Sequence, residues 1–371
     1  MKLINDKKKE KREGYYVASQ WQLMWRKFRK HQLAIAGVAV LGLLYFLAMF
    51  GEFITPYSSL TRFPKYPNAL LQRVHFFDKA KDFHLRPFTY GLKAKRNPVT
   101  FRKYFIVDKT KRYPIYFFVR GEPYKLWGLF ESDLHLFGTE SGRIFLFGTD
   151  KLGRCLFSRT IYASRISLSI GLVGVSLSLV LGTMLGGIAG YFGGVADSVI
   201  MRAVDLLVSI PTIPLWMALA AAVPQDWSTI KTYFAITIIL SIIGWAGLAR
   251  VVRSKLLSLR EEDFAMAAKI AGAKELRIIT RHLLPSFLSY LIVSLTLSVP
   301  SMILGETALS FLGLGIQPPA VSWGTLLQDA QRVRSVAHYP WLLIPCLFVI
   351  ITVLAFNFLG DGLRDAADPY K

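Results

Sequence analysis

Long uncharged stretches set the hydrophobic pattern of this chain. Asp, Glu, Lys and Arg are all absent from seven windows, which are residues 31–51, 166–196, 206–225, 232–249, 282–305, 307–328 and 335–360. A helix needs about 20 mostly apolar residues to cross a bilayer, and the windows have about that length. The pattern predicts an all-α polytopic membrane protein, and it excludes a soluble globular protein, a disordered chain and a disulfide scaffold.

Six of these windows predict transmembrane helices. The first helix lies within residues 31–55, and the others are expected near 167–192, 199–222, 232–252, 286–310 and 339–360. The remaining window, 307–328, contains adjacent prolines at 318 and 319, which remove backbone donors and interrupt a helix. We therefore expect a broken or re-entrant segment there, on the outer side of the membrane.

Charge orients the predicted spans. The chain carries 45 Lys and Arg against 24 Asp and Glu, a formal net charge of +21. Residues 1–30 form a basic tail, and the apolar run that follows is too long for a cleaved signal peptide. Because basic residues flank spans on the cytoplasmic side, we predict both termini and the basic loop 253–285 in the cytoplasm. Contact with membrane lipid explains the charge better than nucleic-acid binding, since no basic helix with interleaved aromatic residues is present.

Residues 56–150, between the first and second spans, predict a small, mainly β domain outside the membrane. The region is too aromatic for a disordered linker. Runs at 103–108, 113–120 and 143–147 mix aromatic and β-branched residues between turn residues, which favours strands. Its 17 Lys and Arg against 8 Asp and Glu do not contradict an outer location, because long loops cross the membrane largely regardless of charge. Two roles stay open: contact with an extracytoplasmic partner, or capping of the helix bundle.

Several residues stand out inside the predicted spans. Asp205 lies near the start of the third span, and Pro211 predicts a kink that can line a pathway. Glu306 follows 24 residues without a formal charge. It is either a pathway or gate residue, or a buried hydrogen-bonded acid that holds the broken segment. One face of the second span carries a glycine every fourth residue, which allows another backbone to approach closely: Gly182, Gly186, Gly190 and Gly194.

Motifs for metal binding, disulfide pairing and nucleotide binding are absent from the sequence. Its two cysteines, Cys155 and Cys346, are far apart, and no HExxH pair or GxxxxGK[ST] phosphate loop occurs. We therefore expect no metal and no cofactor in this chain. An intramembrane protease is disfavoured, because Asp361 has no matching second aspartate within a span.

The loop at 258–285 predicts two short helices joined by a glycine turn. Ser258 and Glu261 have capping-box spacing at the start of the first helix, and Gly272 fits its C-terminal stop. The second helix is expected to run from Lys274 and to end before Pro285. The first helix presents one aromatic residue and several alanines, Phe264, Ala267, Ala268 and Ala271. This face suits a groove of another protein or the chain's own bundle, and both alternatives stay open.

Three motifs resemble those of permeases from ATP-binding-cassette (ABC) importers of dipeptides and oligopeptides. Ala267-Ala268, Gly272 and Leu284-Pro285 have the spacing of that family's coupling loop. Two further stretches resemble its C-type subunits: Phe147-Gly148-Thr149-Asp150 with Gly153-Arg154 before the second span, and Glu306 to Gly315 with Pro318-Pro319 and Ser322-Trp323-Gly324 after the fifth. The long insertion resembles the microcin and oligopeptide uptake branch. Cys155 departs from the pattern, since the family usually has Asp there.

This resemblance implies the type I ABC importer permease fold, with six transmembrane helices in the bacterial cytoplasmic (inner) membrane. The chain would form half of the translocation pathway of an ATP-driven peptide importer and would not itself be an enzyme. Its implied partners are a second permease in a heterodimer, two ATPase subunits that bind ATP and Mg, and an extracytoplasmic substrate-binding protein.

The same resemblance assigns roles to individual residues. ATPase contact is expected of Glu261, Phe264, Ala267, Ala268, Gly272, Leu284 and Pro285. Asp205, Pro211, Glu306 and Trp323 are candidates for lining or gating the pathway. The signature before the second span consists of Gly148, Thr149, Asp150, Gly153 and Arg154.

Two alternatives to a peptide importer remain at this point. One is the same transporter type with another cargo, namely nickel, an opine or a peptide antibiotic. The other is a non-transporting assembly or sensor subunit whose outer domain carries the function.

Overall fold

The chain folds into a helical bundle with a β insertion on one end. The computed structural model describes residues 20–77, 82–96, 98, 101, 103–224 and 226–368. The N-terminal helices are α1 (Gln20–Phe28), α2 (Gln32–Met49) and α3 (Gly51–Ile54). After the insertion come α4 (Leu156–Phe192), α5 (Gly194–Ser209), α6 (Thr212–Ala221) and α7 (Thr229–Leu259). The C-terminal half contains α8 (Asp263–Ile270), α9 (Glu275–Arg277), a π-helical turn (Ile278–Leu283), α10 (Leu284–Ser286), α11 (Leu288–Phe311), α12 (Trp323–Gln328), α13 (Val333–His338), a 3-10 turn (Pro340–Leu343) and α14 (Ile344–Ala367).

Within the described residues, five helices are long and apolar enough to cross a membrane. These are α2, α4, α7, α11 and the segment Pro340–Ala367 that includes α14. A sixth crossing arises only if α5 and α6 count as one span, and these two helices meet at 92°. The predicted kinked span near 199–222 is therefore a sharply broken one. The break has a local cause: Ile210 precedes a proline and adopts an extended conformation, with φ −89° and ψ 131°.

Helix α4 is longer than a bilayer requires. Its 37 residues span about 55 Å, so the helix extends beyond the hydrocarbon core of about 30 Å. In its N-terminal part, Arg165 donates hydrogen bonds to the carbonyl oxygens of Ala48 and Met49 and pairs with Glu52. These bonds attach the C-terminal end of α2 to α4.

Small residues bring the main helices close together. A Cβ atom added at Gly182 would lie 2.9 Å from the Leu248 side chain, and one at Gly190 would lie 2.7 Å from the Arg253 carbonyl oxygen. A Cβ at Gly186 would overlap the Ala249 carbonyl oxygen. Helix α4 therefore packs against α7 through these three glycines. Gly194 does not share the contact, because α4 ends at Phe192 and Gly194 begins α5 with φ +57° and open space around it.

The first and last spans are neighbours. A Cβ atom at Gly37 of α2 would lie 2.7 Å from the carbonyl oxygen of Ala355 in α14. Beyond the N-terminal end of α2, Lys27 Nζ donates to the carbonyl oxygen of Asp368 at 2.8 Å. Helix α1 is thereby attached to the C-terminal end of α14.

The insertion is a small β domain, as the sequence predicts. Strands β1 (His75–Phe77), β2 (Phe83–Arg96) and β3 (Lys103–Pro114) form an antiparallel sheet, and β4 (Tyr116–Leu126) and β5 (Phe130–Gly138) form a separate hairpin. The predicted strands at 103–108 and 113–120 lie within β3 and across the β3–β4 junction. The expectation of a strand at 143–147 is wrong, because this segment pairs with no strand and its Phe145 packs instead with Tyr57, Ile115 and Ile144 in the core of the insertion.

Candidate functional site

A large cleft runs along one side of the helix bundle. Its volume is about 1440 Å³, and α6, α7, α11 and α14 line it. Helix α11 contributes most of the wall, through residues spaced three or four apart that share one face. Serines of α10 and α11, Ser286, Ser289, Ser294, Ser298 and Ser301, give the wall a weakly polar character.

The cleft is neutral along most of its length and charged at one end. Lys255 of α7, Arg364 of α14 and Asp368 line that end. The Lys255 ammonium lies 5.8 Å from the centre of the Tyr290 ring, within cation–π range. Because Lys255 lies at the start of the basic loop 253–285, the charged end of the cleft faces the same side as that loop.

Glu306 lies next to the cleft but is fully buried. Ser310 Oγ donates to its Oε1 at 2.6 Å, and Ser167 Oγ donates to its Oε2 at 3.2 Å. Ser310 Oγ also accepts from the backbone N–H of Ile316 at 2.9 Å. The carboxylate thus joins α11 to α4 and to the chain that follows α11, an arrangement that favours the structural alternative for this acid. Its neighbour Gly305 faces the cleft instead.

Trp323 belongs to the same polar network. Its backbone N–H donates to Ser167 Oγ at 3.1 Å, and its indole N–H donates to the Thr160 carbonyl oxygen at 3.1 Å. The side chain is fully buried at the start of α12. The structure therefore brings Trp323 and Glu306 together through Ser167, and both hold the segment after α11 against α4.

The other two pathway candidates lie apart from this network. Asp205 is exposed on α5 and pairs with Arg250 of α7 at 2.9 Å. Pro211 precedes α6, one residue before Thr212, which lines the cleft. Pro211 therefore positions part of the cleft wall.

The motif-bearing loop at residues 258–285 forms a compact helical projection. Ser258 lies inside the last turn of α7, so the predicted capping box is wrong, and α8 begins after Glu262. Gly272 has φ +78°, a backbone conformation that favours glycine over residues with a side chain. The predicted second helix differs too: from Glu275 it passes through the π-helical turn and continues past Pro285.

The motif residues of this loop face two ways. Ala268 and Leu284 pack against a buried cluster of the chain's own bundle that includes Leu256, Ile278 and Leu283. The remaining motif residues are exposed, namely Glu261, Phe264, Ala267, Gly272 and Pro285. One alternative left open by the sequence, contact with the chain's own bundle, is therefore seen for Ala268 and Leu284, while contact of the exposed residues with another protein stays a prediction.

Sequence reasoning missed the most exposed apolar residues of this projection. Ile270 is 84% exposed and Leu276 is 73% exposed, and Phe264 and Met266 are exposed as well. Exposed basic residues lie near them along the chain: Lys269, Lys274, Arg277 and Arg281. An exposed apolar patch with a polar rim is typical of a protein interface. In the sequence, only the absence of charge at positions 266, 270 and 276 indicates these exposed apolar residues.

The signature before the second span forms a buried turn. Asp150 Oδ2 accepts from Arg154 Nε at 2.7 Å and from an Arg159 guanidinium nitrogen at 2.5 Å, while Asp150 Oδ1 accepts from the backbone N–H of Leu152 and of Arg154. Gly148 and Gly153 both have positive φ angles, which the tight turn requires.

Thr149 of this turn connects three distant parts of the chain. Its Oγ1 accepts from the backbone N–H of Ala69 at 2.8 Å and donates to the Tyr66 carbonyl oxygen at 2.5 Å. Its own carbonyl oxygen accepts from the Trp341 indole at 3.1 Å. The signature therefore attaches the insertion to the last span.

Cys155, just before α4, is buried in the core of the insertion. Burial raises the pKa of its thiol, although hydrogen bonds with Ser158 and Phe157 oppose that effect. A buried thiol with a raised pKa is a poor nucleophile. Within the described residues, no group of three or more His, Cys, Asp or Glu side chains could hold a metal ion.

Comparison with known proteins gives consistent matches over nearly the whole chain. Residues 182–370 match the family described as binding-protein-dependent transport system inner membrane component, and residues 19–72 match the N-terminal transmembrane domain of oligopeptide transport permease C. The chain is 32% identical to the dipeptide transport system permease protein of Lactococcus lactis over 352 residues, 95% of this chain and 91% of the relative. It is 41% identical to the dipeptide transport system permease protein of Bacillus subtilis over 223 residues, 60% of this chain and 68% of the relative. It is 44% identical to the oligopeptide transport system permease protein of Haemophilus influenzae over 224 residues, 60% of this chain and 70% of the relative.

Proposed function

This chain belongs to the family of inner membrane components of binding-protein-dependent transport systems, and we propose that it is the C-type permease subunit of an ATP-driven peptide importer. The observation that carries the proposal is the long cleft lined by α6, α7, α11 and α14, beside a cytoplasmic projection with an exposed apolar patch. A solute path next to a docking surface is the minimum that a permease powered by separate subunits requires.

The cleft forms one wall of the translocation pathway. Four helices of this chain line it on one side of the bundle, and a second permease subunit supplies the opposite wall in a heterodimer. Serine hydroxyls and small residues such as Gly244, Gly305 and Ala308 line the wall and present no fixed charge along most of it. Such a surface suits peptides, whose side chains vary while their backbone amides stay the same. Selection of the cargo then falls mainly to the extracytoplasmic substrate-binding protein.

The cytoplasmic projection couples the permease to the ATPases. Its inner face, with Ala268 and Leu284, is fixed to the bundle, while its outer face, with Phe264 and Ala267, is free to enter a groove of an ATPase subunit. ATP and Mg bind to two such partner subunits and not to this chain. Closure of the ATPases moves the projection, and its rigid attachment to α7 and α11 transmits that motion to the cleft.

We further propose six crossings of the bacterial cytoplasmic (inner) membrane. In this arrangement the bent pair α5–α6 counts as one span, residues 1–30 and the C-terminus lie in the cytoplasm, and the insertion at 56–150 lies outside. The permease transmembrane domain occupies residues 151–371, with the coupling loop at 253–285. The basic charge of that loop supports this orientation.

Peptides are the proposed cargo because the relatives named above are dipeptide and oligopeptide permeases. The relatives do not favour nickel, an opine or a non-transporting sensor subunit. The first test is affinity purification of the full chain from its native membrane, followed by mass spectrometry. Recovery of a second permease and two ATPases, with peptide uptake when the assembly is placed in ATP-loaded vesicles, is expected. Uptake of a metal ion or an opine in place of peptides would overturn the cargo assignment.

The coupling surface is tested by Ile270→Glu. A carboxylate buried in an apolar interface without a partner costs about 2 kcal/mol or more, so ATPase affinity is expected to fall at least about 10-fold. Val333→Glu is the matched control, because Val333 is also 84% exposed but lies in α13, outside the projection. Equal ATPase recovery with both variants would contradict a docking role for the patch.

A further inference from the structure

The β4–β5 hairpin folds back toward the membrane. Glu122 accepts hydrogen bonds from Ser58 N at 3.1 Å and from Thr61 Oγ1 at 2.6 Å, and a His135 ring nitrogen lies 2.5 Å from the Thr55 carbonyl oxygen. At the hairpin tip, Trp127 Nε1 donates to the carbonyl oxygen of Met49 at 2.8 Å. Thr61, Ser58 and Thr55, which contact the body of the hairpin, follow α2 in the chain. Met49, which contacts the tip, is the last residue of α2. The hairpin therefore runs antiparallel to the outgoing chain, and its tip lies at the end of the span.

The end of α2 fixes the depth of this tip. Its 18 residues rise about 27 Å, close to the thickness of the hydrocarbon core of about 30 Å. Met49 therefore lies at the boundary between hydrocarbon and headgroups. The indole N–H that bonds to Met49 must lie at the same level.

The tip is apolar and exposed. Leu129 is 75% exposed, Phe130 is 61% exposed and Trp127 is 49% exposed. The five residues 126–130 carry no charge, and the next cross-strand pair is the exposed ion pair Lys125–Glu131, with 2.9 Å between its charged atoms. The hairpin is thus amphipathic along its length, with an apolar end and a charged pair directly behind it.

The apolar tip continues the exposed face of α2. Leu43, Phe46 and Met49 are each more than half exposed on this face of the span. The Phe46 and Phe50 rings lie 4.9 Å apart, and the Phe50 and Trp127 rings lie 5.7 Å apart. One unbroken aromatic strip therefore leads from the span to the hairpin.

We propose that residues 126–130, the tip of the β4–β5 hairpin, insert into the lipid interface beside α2 and anchor the insertion domain to the bilayer. Tryptophan is enriched at this depth because its ring is apolar while its N–H needs a partner, and Met49 supplies that partner here. Lys125 and Glu131 stay at headgroup level, where their charges remain hydrated. The occupant of this surface is lipid, because the strip is continuous with a face that the span itself presents to the bilayer.

The test measures the depth of a spin label at Leu129. Leu129→Cys is made in the full chain with Cys155→Ser and Cys346→Ser, labelled with a nitroxide and placed with its co-purifying subunits in nanodiscs of phosphatidylethanolamine and phosphatidylglycerol. Leu85→Cys is the matched control, since Leu85 is 88% exposed in the same insertion. It lies at the base of the hairpin, where Arg86 covers the Tyr116 ring at 4.5 Å, about 30 Å from the tip along the strand.

The label collides with oxygen and with a water-soluble nickel chelate, and the ratio of the two collision rates reports its depth. We expect this oxygen-to-chelate ratio to be several-fold higher at position 129 than at position 85. Equal exposure to the chelate at both positions would overturn the proposal. A label at position 129 that is shielded from oxygen and chelate alike would also overturn it, because a protein partner would then occupy the tip. None of these outcomes depends on whether the chain transports peptides.

Discussion

At the scale of single residues, the most informative position is an acid that the sequence leaves ambiguous. A lone carboxylate after 24 uncharged residues indicates that Glu306 is special, but not whether it faces solute or protein. The answer depends on Ser167, which lies 139 residues earlier and has no distinguishing sequence context. Glu306 is hydrogen-bonded to two buried serines, one of which also accepts from the Trp323 backbone N–H, while the neighbouring Gly305 faces the cleft. This proximity exists only in the folded chain.

Glu306→Ala is expected to destabilise the permease. The substitution leaves the hydroxyls of Ser167 and Ser310 without their acceptor, and each unsatisfied buried group costs about 1–3 kcal/mol. Glu306→Gln keeps an acceptor oxygen and is expected to retain most of the stability. Thermal unfolding of both variants in one detergent provides the comparison. A strong loss of uptake by the Gln variant at unchanged stability would instead indicate a pathway role.

At the scale of elements, helix–helix contact depends on backbone approach. Gly186 and Gly187 are adjacent in α4 but differ in environment. A Cβ at Gly186 would overlap the Ala249 carbonyl oxygen of α7, whereas one at Gly187 would lie 3.8 Å from the Leu256 side chain, an ordinary contact.

Gly186→Ala is therefore expected to push α4 and α7 apart and to cost about 1–3 kcal/mol, the usual range for overpacking. Gly187→Ala, the neighbouring control, is expected to be neutral or slightly stabilising, since alanine favours helix. Heat-induced aggregation of the two purified variants measures the difference. Identical midpoint temperatures of aggregation for the two variants would show that α4 and α7 tolerate separation.

The sequence predicts which segments become helices better than where they end. Charge-free windows locate α2, α4, α7, α11 and α14, because the bilayer requires long apolar runs. The same windows place the start of the second span near 167, whereas α4 begins at Leu156. The extra turns contain Arg159 and Arg165, whose charges are neutralised by Asp150 and Glu52. Hydropathy alone cannot anticipate such pairing, and it cannot reveal the cleft, whose wall is assembled from four separate helices.

At the scale of the whole molecule, the number of crossings determines which parts share a side. With six crossings, the insertion and the coupling loop lie on opposite sides of the membrane. With five, the bent pair α5–α6 would return to its own side, and α7 would carry the loop to the same side as the insertion. In that case α7 would run antiparallel to α4, whereas the contacts of Gly182 with Leu248 and of Gly190 with Arg253 follow both helices in the same direction. The sequence predicts the apolar length of the bent pair, but not the 92° angle that makes its topology a question.

Labelling of intact spheroplasts with a membrane-impermeant maleimide separates the two topologies. In a Cys346→Ser background, Thr110→Cys in β3 is expected to react, because the residue is exposed on the insertion. Lys274→Cys in the coupling loop is expected to react only after the cells are opened. Reaction of both cysteines in intact spheroplasts would favour five crossings.

The contact between α2 and α14 also has a consequence for biosynthesis. The ribosome makes α2 first and α14 last, yet the Gly37 face of α2 has its closest approach to Ala355. During translation the first span must therefore wait in the membrane for more than 300 residues before that partner exists. A chain truncated before α14 would leave this small-residue face and the basic end of α1 unpaired. Such an unpaired face gives membrane proteases a physical mark by which an incomplete permease differs from a finished one.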